Sequence, residues 1–310
     1  MNKKSENNIS VLGKPPRPNP SGVGVKLICP ICKSKNTHKF WAMSGYRLAK
    51  CLNCTVVWDY FPPSNTAAIY DKSYFVNDNP KGGYANYFEG MRINRRTFKD
   101  RLKKIEKKIG RKGKLLDVGC ALGDCLVEAK RLGWVGAEGI EISDYGFNTA
   151  KSRGVKVRKG ILDKRIKANT YDIVIYQDVI EHIPDPVGEL KKVFRVLKPG
   201  GYIFLVTPNI GGIWSKILGR LWYHYKPTEH LIYFSHSSIK SALKEAGFTA
   251  VESARTYHVL SFEYILNRLR YYAPNIFGAI LKVVQRIGMK DIAFRSYTGE
   301  LEAWGQKPVK

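Results

Sequence analysis

Residues 114–123 read Lys-Leu-Leu-Asp-Val-Gly-Cys-Ala-Leu-Gly, an apolar run that closes on Asp117 and turns through Gly119 and Gly123 into the amphipathic stretch 124–132. A buried strand, a glycine turn and a helix in that order open a parallel α/β sheet, and the bare glycine backbone lets a ligand come close at the sheet's carboxyl edge. The alternation continues downstream. Strand patterns at 135–141, 155–158, 171–176, 202–207 and 248–257 are interleaved with helical patterns at 144–153, 185–197 and 237–246, and a last strand is expected at 301–304,. Such a chain folds as a doubly wound α/β sheet with helices on both faces.

Glu141 closes the second strand about 20 residues beyond the turn, where an acidic side chain accepts hydrogen bonds from both hydroxyls of a ribose,. The turn is not the pyrophosphate fingerprint, because Ala121 and Asp124 stand where G-x-G-x-x-G needs its second and third glycines. A phosphate there would also face Asp117 and Asp124. These residues describe a nucleoside pocket suited to a cationic, phosphate-free cofactor such as a sulfonium.

Ahead of the sheet lie four of the six cysteines. Cys29-Pro-Ile-Cys32 and Cys51-Leu-Asn-Cys54 are two C-x2-C pairs separated by 18 residues, the spacing of a four-cysteine zinc ribbon,. Four thiolates leave no open position, so a zinc ion here is structural, and it supplies folding free energy that so short a segment lacks. A dithiol redox pair and unliganded thiols are the other readings of these residues. No apolar export segment appears at the start, and the expectation is a reducing cytoplasm. The organisation expected is a flexible tail over 1–26, the ribbon over 27–62, and an aromatic linker with a basic amphipathic helix over 63–113. The sheet domain follows over 114–310, with a helical insertion at about 259–291. The aromatic stretch 61–88 reads as a lid. The fold class is therefore α/β, a Rossmann-like doubly wound sheet with a small N-terminal zinc ribbon and a C-terminal helical insertion.

The stretches LLDVGCALGD, GIEIS, YDIVIYQDVIEHIPDP and RVLKPGGYIFLVTPN resemble the successive motifs of the class I S-adenosylmethionine-dependent methyltransferases, over about residues 110–255. The most similar branch is that of the ubiquinone-biosynthesis O-methyltransferases. The cysteine ribbon resembles the N-terminal addition of such enzymes in sugar and polysaccharide pathways. The resemblance implies S-adenosylmethionine as cofactor, with Asp117, Gly119 and Gly123 shaping the methionine pocket and Glu141 holding the ribose. It also implies Ile161 and Leu162 on either side of the adenine, Gln177 near the methionine end, and Cys120 and Ile142 in the same groove. Ala121 departs from the family, which has a third glycine there.

Asp178, Glu181 and His182 stand at i, i+3 and i+4, which puts them on one side of a helical turn after the fourth strand,. The run is similar to one that, in relatives methylating RNA 2′-hydroxyls or catechols, holds a divalent metal together with a later histidine, here His230. The resemblance thus implies a second metal, magnesium or zinc, on Asp178, Glu181, His182 and His230. Asp178 is one methylene shorter than the glutamate of those relatives. Two other readings stand beside this one: the pair Glu181-His182 orders the loop before Pro184, or His182 or His230 is a metal-free general base. His224, among Trp222, Tyr223 and Tyr225, reads as part of an aromatic cap.

The chain of 310 residues carries 52 Lys and Arg against 26 Asp and Glu, a net charge of +26. Residues 91–114 hold 12 basic and 2 acidic side chains, and residues 151–168 hold 8 and 1. Either these are solvated faces, or they meet an anionic partner: a nucleotide sugar, a lipid-linked glycan, a bilayer surface or RNA. The expected activity is O-methylation of a small anionic acceptor, a sugar or glycan intermediate. RNA methylation and a noncatalytic scaffold that binds S-adenosylmethionine are the alternatives; no dedicated RNA-binding signature is present. The amphipathic insertion fits core packing, a homodimer face or peripheral contact with the inner face of a membrane.

Overall fold

The computed structural model describes residues 27–43, 46–62, 87–226, 229–270 and 273–309. The tail expected over 1–26 and the core of the aromatic lid, 63–86, lie outside these residues. In chain order the strands are β1 (Thr37–Met43), β2 (Tyr46–Cys51), β3 (Val57–Asp59), β4 (Leu115–Val118), β5 (Ala137–Glu141), β6 (Val157–Lys159) and β7 (Tyr171–Gln177). They continue with β8 (Leu197–Pro208), β9 (Ile232–Tyr233), β10 (Thr249–Arg255), β11 (His258–Ser261), β12 (Ala293–Ser296) and β13 (Glu300–Gln306). The helices are α1 (Tyr87–Ile109), α2 (Asp124–Arg131), α3 (Asp144–Ser152), α4 (Pro186–Val196), α5 (Ile213–Leu218), α6 (His236–Glu245), α7 (Phe262–Leu269) and α8 (Pro274–Arg286).

The main sheet has the strand order β10-β13-β8-β7-β4-β5-β6. Its strands β6, β5, β4, β7 and β8 run parallel, and β13 runs antiparallel to both β8 and β10. β4 is Leu-Leu-Asp-Val and is buried along its whole length, as a central parallel strand covered on both faces must be,. From β4 the chain winds outward to β5 and β6, then returns to β7 on the other side. The reversal opens a crevice between the carboxyl ends of β4 and β7, where open α/β sheets bind their ligands.

One face of the sheet is closed by α1 and α2. Leu102 and Ile105 of α1 pack with Leu115, Leu126, Trp134, Ile173, Phe204 and Trp304, as the apolar spacing of this helix predicts. The outer side of α1 is basic, but part of that charge is spent within the fold: Lys104 pairs with Glu302 of β13, and Lys108 with Glu252 of β10 at 2.8 Å. The opposite face is closed by α4 and α6, through Leu190, Val193, Ile239 and Ala242. Asp185 caps α4 by accepting from the Gly188 amide at 3.0 Å, with Pro186 in the first turn,. The cap of α6 is Ser235, and Ser238 reaches back to the Ser235 amide at 2.8 Å to complete a capping box,.

The ribbon does not stand apart from the sheet domain. β1, β2 and β3 form an antiparallel sheet, and its fourth strand is β9, contributed from far along the chain. Val57 pairs with Tyr233 and Trp58 with Ile232, while the Asp59 amide donates to the Leu231 carbonyl at 2.8 Å. Cys29, Ile31, Cys51, Cys54, Val56 and Trp58 share one continuous core with Leu231, Ile232 and Phe234. The insertion before β13 consists of α7 and α8, flanked by the antiparallel pair β11 and β12.

Candidate active site

β4 brings Asp117 to the edge of the crevice with 3% exposure, and the chain then passes through three left-handed residues: Gly119 at φ 71°, Ala121 at φ 50° and Gly123 at φ 80°. A Cβ on Gly119 would lie 2.6 Å from Val179, so close approach as well as φ demands glycine there,. Cys120 is buried, and its sulfur lies where a side chain on Gly139 would go, 2.6 Å from the position of the missing Cβ. Burial pushes the Cys120 thiol well up, as it does Cys125, and neither is a nucleophile at neutral pH,.

Glu141 performs two tasks at the end of β5. Its Oε2 accepts from the Ala121 amide and its Oε1 from the Ser143 amide, each at 2.8 Å, which ties the glycine turn to the second strand. Each oxygen keeps lone-pair capacity for a ribose hydroxyl. Burial raises the Glu141 pKa against the pull of those amides. Burial, reinforced by the neighbouring charge of Glu141, pushes Asp117 to about 8. Two buried acids with no ion-pair partner among the described residues favour a ligand that carries positive charge and no phosphate. Ile142 and Ile161 stand 40% and 54% exposed beyond β5 and β6, open apolar surface of the kind that takes a purine face, whereas Leu162 is fully buried in the core. The Gly160 amide donates to the Glu141 carbonyl at 2.8 Å and draws this loop to the end of β5.

At the end of β7 the Gln177 side-chain oxygen accepts from Arg101 Nη1 at 2.9 Å. The expected helical turn over 178–182 is only a 3₁₀ turn over Ile180–His182, and Asp178 before it has φ 56°. Three of the four residues expected to share a metal therefore come together without the fourth. Glu181, His182 and His230 hold their ligand atoms within 4.8 Å of one another, and Asp178 is not part of that group. The His182 and His230 rings meet edge to face at 4.8 Å. His182 Nδ1 lies 2.8 Å from the Glu229 carbonyl, which assigns the proton to Nδ1,. Glu181 Oε2 accepts from Thr207 at 3.0 Å, but Glu181 Oε1 and His230 Nδ1 are buried with no hydrogen-bond partner among the described residues. Burial drives His182 to about 4, His230 far below its usual range and Glu181 far above its own. A pKa near 4 makes His182 a weak base at neutral pH. Two neutral imidazoles and a carboxylate with orphaned atoms suit a zinc-like cation better than magnesium, whose ligands are oxygens. His224 stacks over His230 at 6.3 Å and contacts Trp222 at 5.2 Å, as the aromatic cap requires.

Asp178 joins a second group. Burial first, then the Glu300 carboxylate, raises its pKa to about 7. Glu300, at the start of β13, is bonded to His258, and His258 Nε2 lies 3.0 Å from Arg101 Nη2. The hydrogen bond with His258 and the Arg101 guanidinium outweigh burial and hold Glu300 down at about 2. Arg101, His258 and Glu300 carry no motif that singles them out in the sequence. Arg101 did leave a signal: Phe98, Arg101, Leu102 and Ile105 share the i, i+3, i+4, i+7 stripe of α1, and a charge on an apolar stripe marks a buried partner.

In the ribbon, Cys29 and Cys54 sulfurs lie 3.5 Å apart, Cys32 and Cys51 sulfurs 3.6 Å apart, and all four within 4.8 Å. Zn–S bonds of about 2.3 Å in a tetrahedron place sulfurs about 3.8 Å apart, so the donor set fits zinc. The two knuckles repeat each other. Each C-x2-C is followed by a left-handed residue, Lys33 at φ 56° and Thr55 at φ 65°, whose amide donates to the first cysteine's carbonyl at 3.2 and 3.1 Å.

A family model described as a methyltransferase domain matches residues 90–253, more than half of the chain. The chain belongs to the methyltransferase-domain family. This methyltransferase is similar to the ubiquinone biosynthesis O-methyltransferases of Marinobacter nauticus, 33% identical over 120 residues, and of Coxiella burnetii, 35% identical over 117. Each match covers 35% of this chain and 50% of the relative, so the chain spans about half the length of the curated relatives it matches. Its fold is shared with an S-adenosylmethionine-dependent methyltransferase of Thermotoga maritima, at TM-score 0.52 and 18% identity, over 78% of this chain and 100% of that one. It is shared also with Haemonchus contortus phosphoethanolamine N-methyltransferase 2, solved with phosphomonomethylethanolamine and S-adenosylhomocysteine, at TM-score 0.51 and 16% identity, over 80% of this chain and 62% of that one.

The alanine in the methyltransferase turn carries a measurable cost. A left-handed L-residue loses about 1–2 kcal/mol, and glycine's extra unfolded-state entropy returns about 0.5–1 of it. Ala121→Gly should therefore stabilise the protein by about 0.5–1 kcal/mol, read as a higher urea midpoint at unchanged slope.

Proposed function

We propose that the protein transfers a methyl group from S-adenosylmethionine to a hydroxyl of a small anionic acceptor, a sugar or glycan-pathway intermediate. The observation that carries the reading is the pair of buried acids, Asp117 and Glu141, flanking a glycine turn at the crevice with no ion-pair partner among the described residues. S-adenosylmethionine, when bound, supplies a methyl group on a sulfonium that is open to in-line attack. Glu141 accepts from the ribose hydroxyls, Ile142 and Ile161 take the adenine, and Asp117 with Gln177 serves the cationic methionine end. Hydroxyl acceptors are supported by the O-methyltransferase names of the curated relatives. An anionic acceptor is supported by the basic surplus of the chain.

Proton removal from that hydroxyl falls to Asp178, which follows Gln177 at the end of β7 on the crevice edge and whose pKa burial and Glu300 raise,. Arg101, His258 and Glu300 fix the charges around it. Glu181, His182 and His230 would hold a zinc-like cation, which would supply Lewis acidity there. Cys29, Cys32, Cys51 and Cys54 would hold a structural zinc, closed to substrate.

Calorimetric titration with S-adenosylmethionine tests the reading. Asp117, at about 8, is protonated in the free protein at pH 7, and a cationic ligand selects its ionised form,. Binding should release close to one proton at pH 7 and tighten by up to about tenfold per pH unit from 6 to 8, then level off. Asp117→Asn should abolish the release, and Glu141→Ala should lose at least about tenfold in affinity through the ribose bonds. Pocket-independent binding, with both variants like wild type, overturns the reading. For the ribbon, Cys51→Ser should remove one equivalent of zinc by metal analysis and expose 27–62 to protease. Through β9 it should also lower cofactor-independent stability of the sheet domain.

A further inference from the structure

α8 has two apolar faces, and among the described residues only one of them is covered. Leu281 is buried at 7% exposure against α7, whose Leu266 is buried likewise. Ile276, Ile280 and Val283, with Ile287 at the end of the helix, are 63%, 41%, 54% and 59% exposed. Their spacing of four, three and four residues sets them in one stripe, an arc of about 60° at 100° per residue. Met289, Ile292 and Phe294, at 37%, 46% and 36% exposure, extend the uncovered apolar surface beyond the helix. Residues 259–291 hold five Lys and Arg against two acids, Glu263 and Asp291. Of these, Lys282 and Arg286 are exposed and lie on the same side of the stripe, about 100° and 60° around the helix from Val283 at its edge,.

Basic surface also adjoins the far end of the insertion. Phe294 touches Phe262, the first residue of α7, at 5.1 Å between ring centroids. The same Phe294 lines a cleft of about 450 Å³ with Arg96, Lys99, Lys103 and Arg295. Asp100 in that cleft is engaged by Arg295 at 2.6 Å, which leaves the α1 bases as a net positive rim. No helix among the described residues is long and apolar enough to cross a membrane.

We propose that the α7–α8 insertion is a peripheral docking surface for an anionic lipid bilayer. The exposed stripe of α8 lies at the boundary of headgroups and acyl chains, with the helix axis in the membrane plane. Lys282 and Arg286 extend from its flank to phosphate level, and the α1 cleft takes a neighbouring headgroup. Charge complementarity selects this occupant. A second copy of the chain would bring a net +26 against a net +26, whereas anionic lipid neutralises the basic flank that borders the stripe,. A nucleic acid would leave four large aliphatic side chains facing water or phosphate.

Sedimentation of the full-length protein with vesicles tests the proposal. Wild type should bind vesicles containing one-third phosphatidylglycerol at least about tenfold more tightly than vesicles of phosphatidylcholine alone, and salt should weaken the binding. Ile280→Glu with Val283→Glu should abolish it. Lys282→Glu with Arg286→Glu should reduce it by at least about tenfold. All four positions are exposed, so the thermal midpoint of each double variant should stay at the wild-type value. Failure of wild type to sediment with anionic vesicles overturns the proposal, as do equal binding to both lipids and wild-type binding by both variants. It is also overturned if light scattering shows a dimer that the Ile280→Glu, Val283→Glu protein no longer forms, with no vesicle binding, or if wild type is retained by polyuridine and not by vesicles.

Discussion

The backbone of Leu231 joins the two halves of this protein. Its carbonyl accepts from Asp59 of the ribbon at 2.8 Å, and its amide donates to the Glu181 carbonyl at 2.9 Å, one residue beyond His230 and one before β9. The ribbon therefore borrows a strand from the sheet domain, and the sheet domain uses that strand to hold Glu181 and His230 in register. A four-cysteine knot that looks remote in sequence is two hydrogen bonds from the His182–His230 pair. Its buried face is continuous with the core beneath α6, so ordering the cysteines and positioning the site are parts of the same packing problem,.

The crevice is organised by unequal treatment of its charges. Asp117 and Asp178 are raised toward neutrality by burial and by neighbouring acids, while Glu300 is held ionised by its hydrogen bond with His258 and by Arg101. Carboxylates placed at one sheet edge thus separate into groups that hold or exchange a proton near pH 7 and one that stays charged. The imidazoles of His182 and His230 are kept neutral by the same burial, which suits them to lone-pair donation,.

Local order left clear marks in the sequence. The glycine turn, the acid at 141, the paired C-x2-C knuckles and the apolar stripe of α1 each follow from short-range chemistry, and each takes its expected place. The position of β9 in the ribbon sheet was not legible, since two residues, Ile232 and Tyr233, carry no periodicity and their partner lies far back in the chain. The separation of Asp178 from Glu181 and His182 was hidden for a related reason. The i, i+3, i+4 spacing presumes an α-helical turn, but the left-handed Asp178 and the 3₁₀ turn after it break the phase,. His258 and Glu300 meet only through the antiparallel insertion of β13. The exposed stripe of α8 was visible as amphipathic pattern, but only packing against α7 reveals which of its two apolar sides is left over.

The order of strands across the main sheet differs from their order along the chain in one consequential place. β13 is made after β8 and β10, yet it lies between them and supplies every ladder bond that joins them. Until residues 300–306 leave the ribosome, β8 and β10 each present an unsatisfied edge, and β8 is twelve residues long and largely apolar,. The nascent chain must therefore hold open a gap of one strand's width in its own sheet. During that interval the edges that would be its most adhesive surface lie inside the future core.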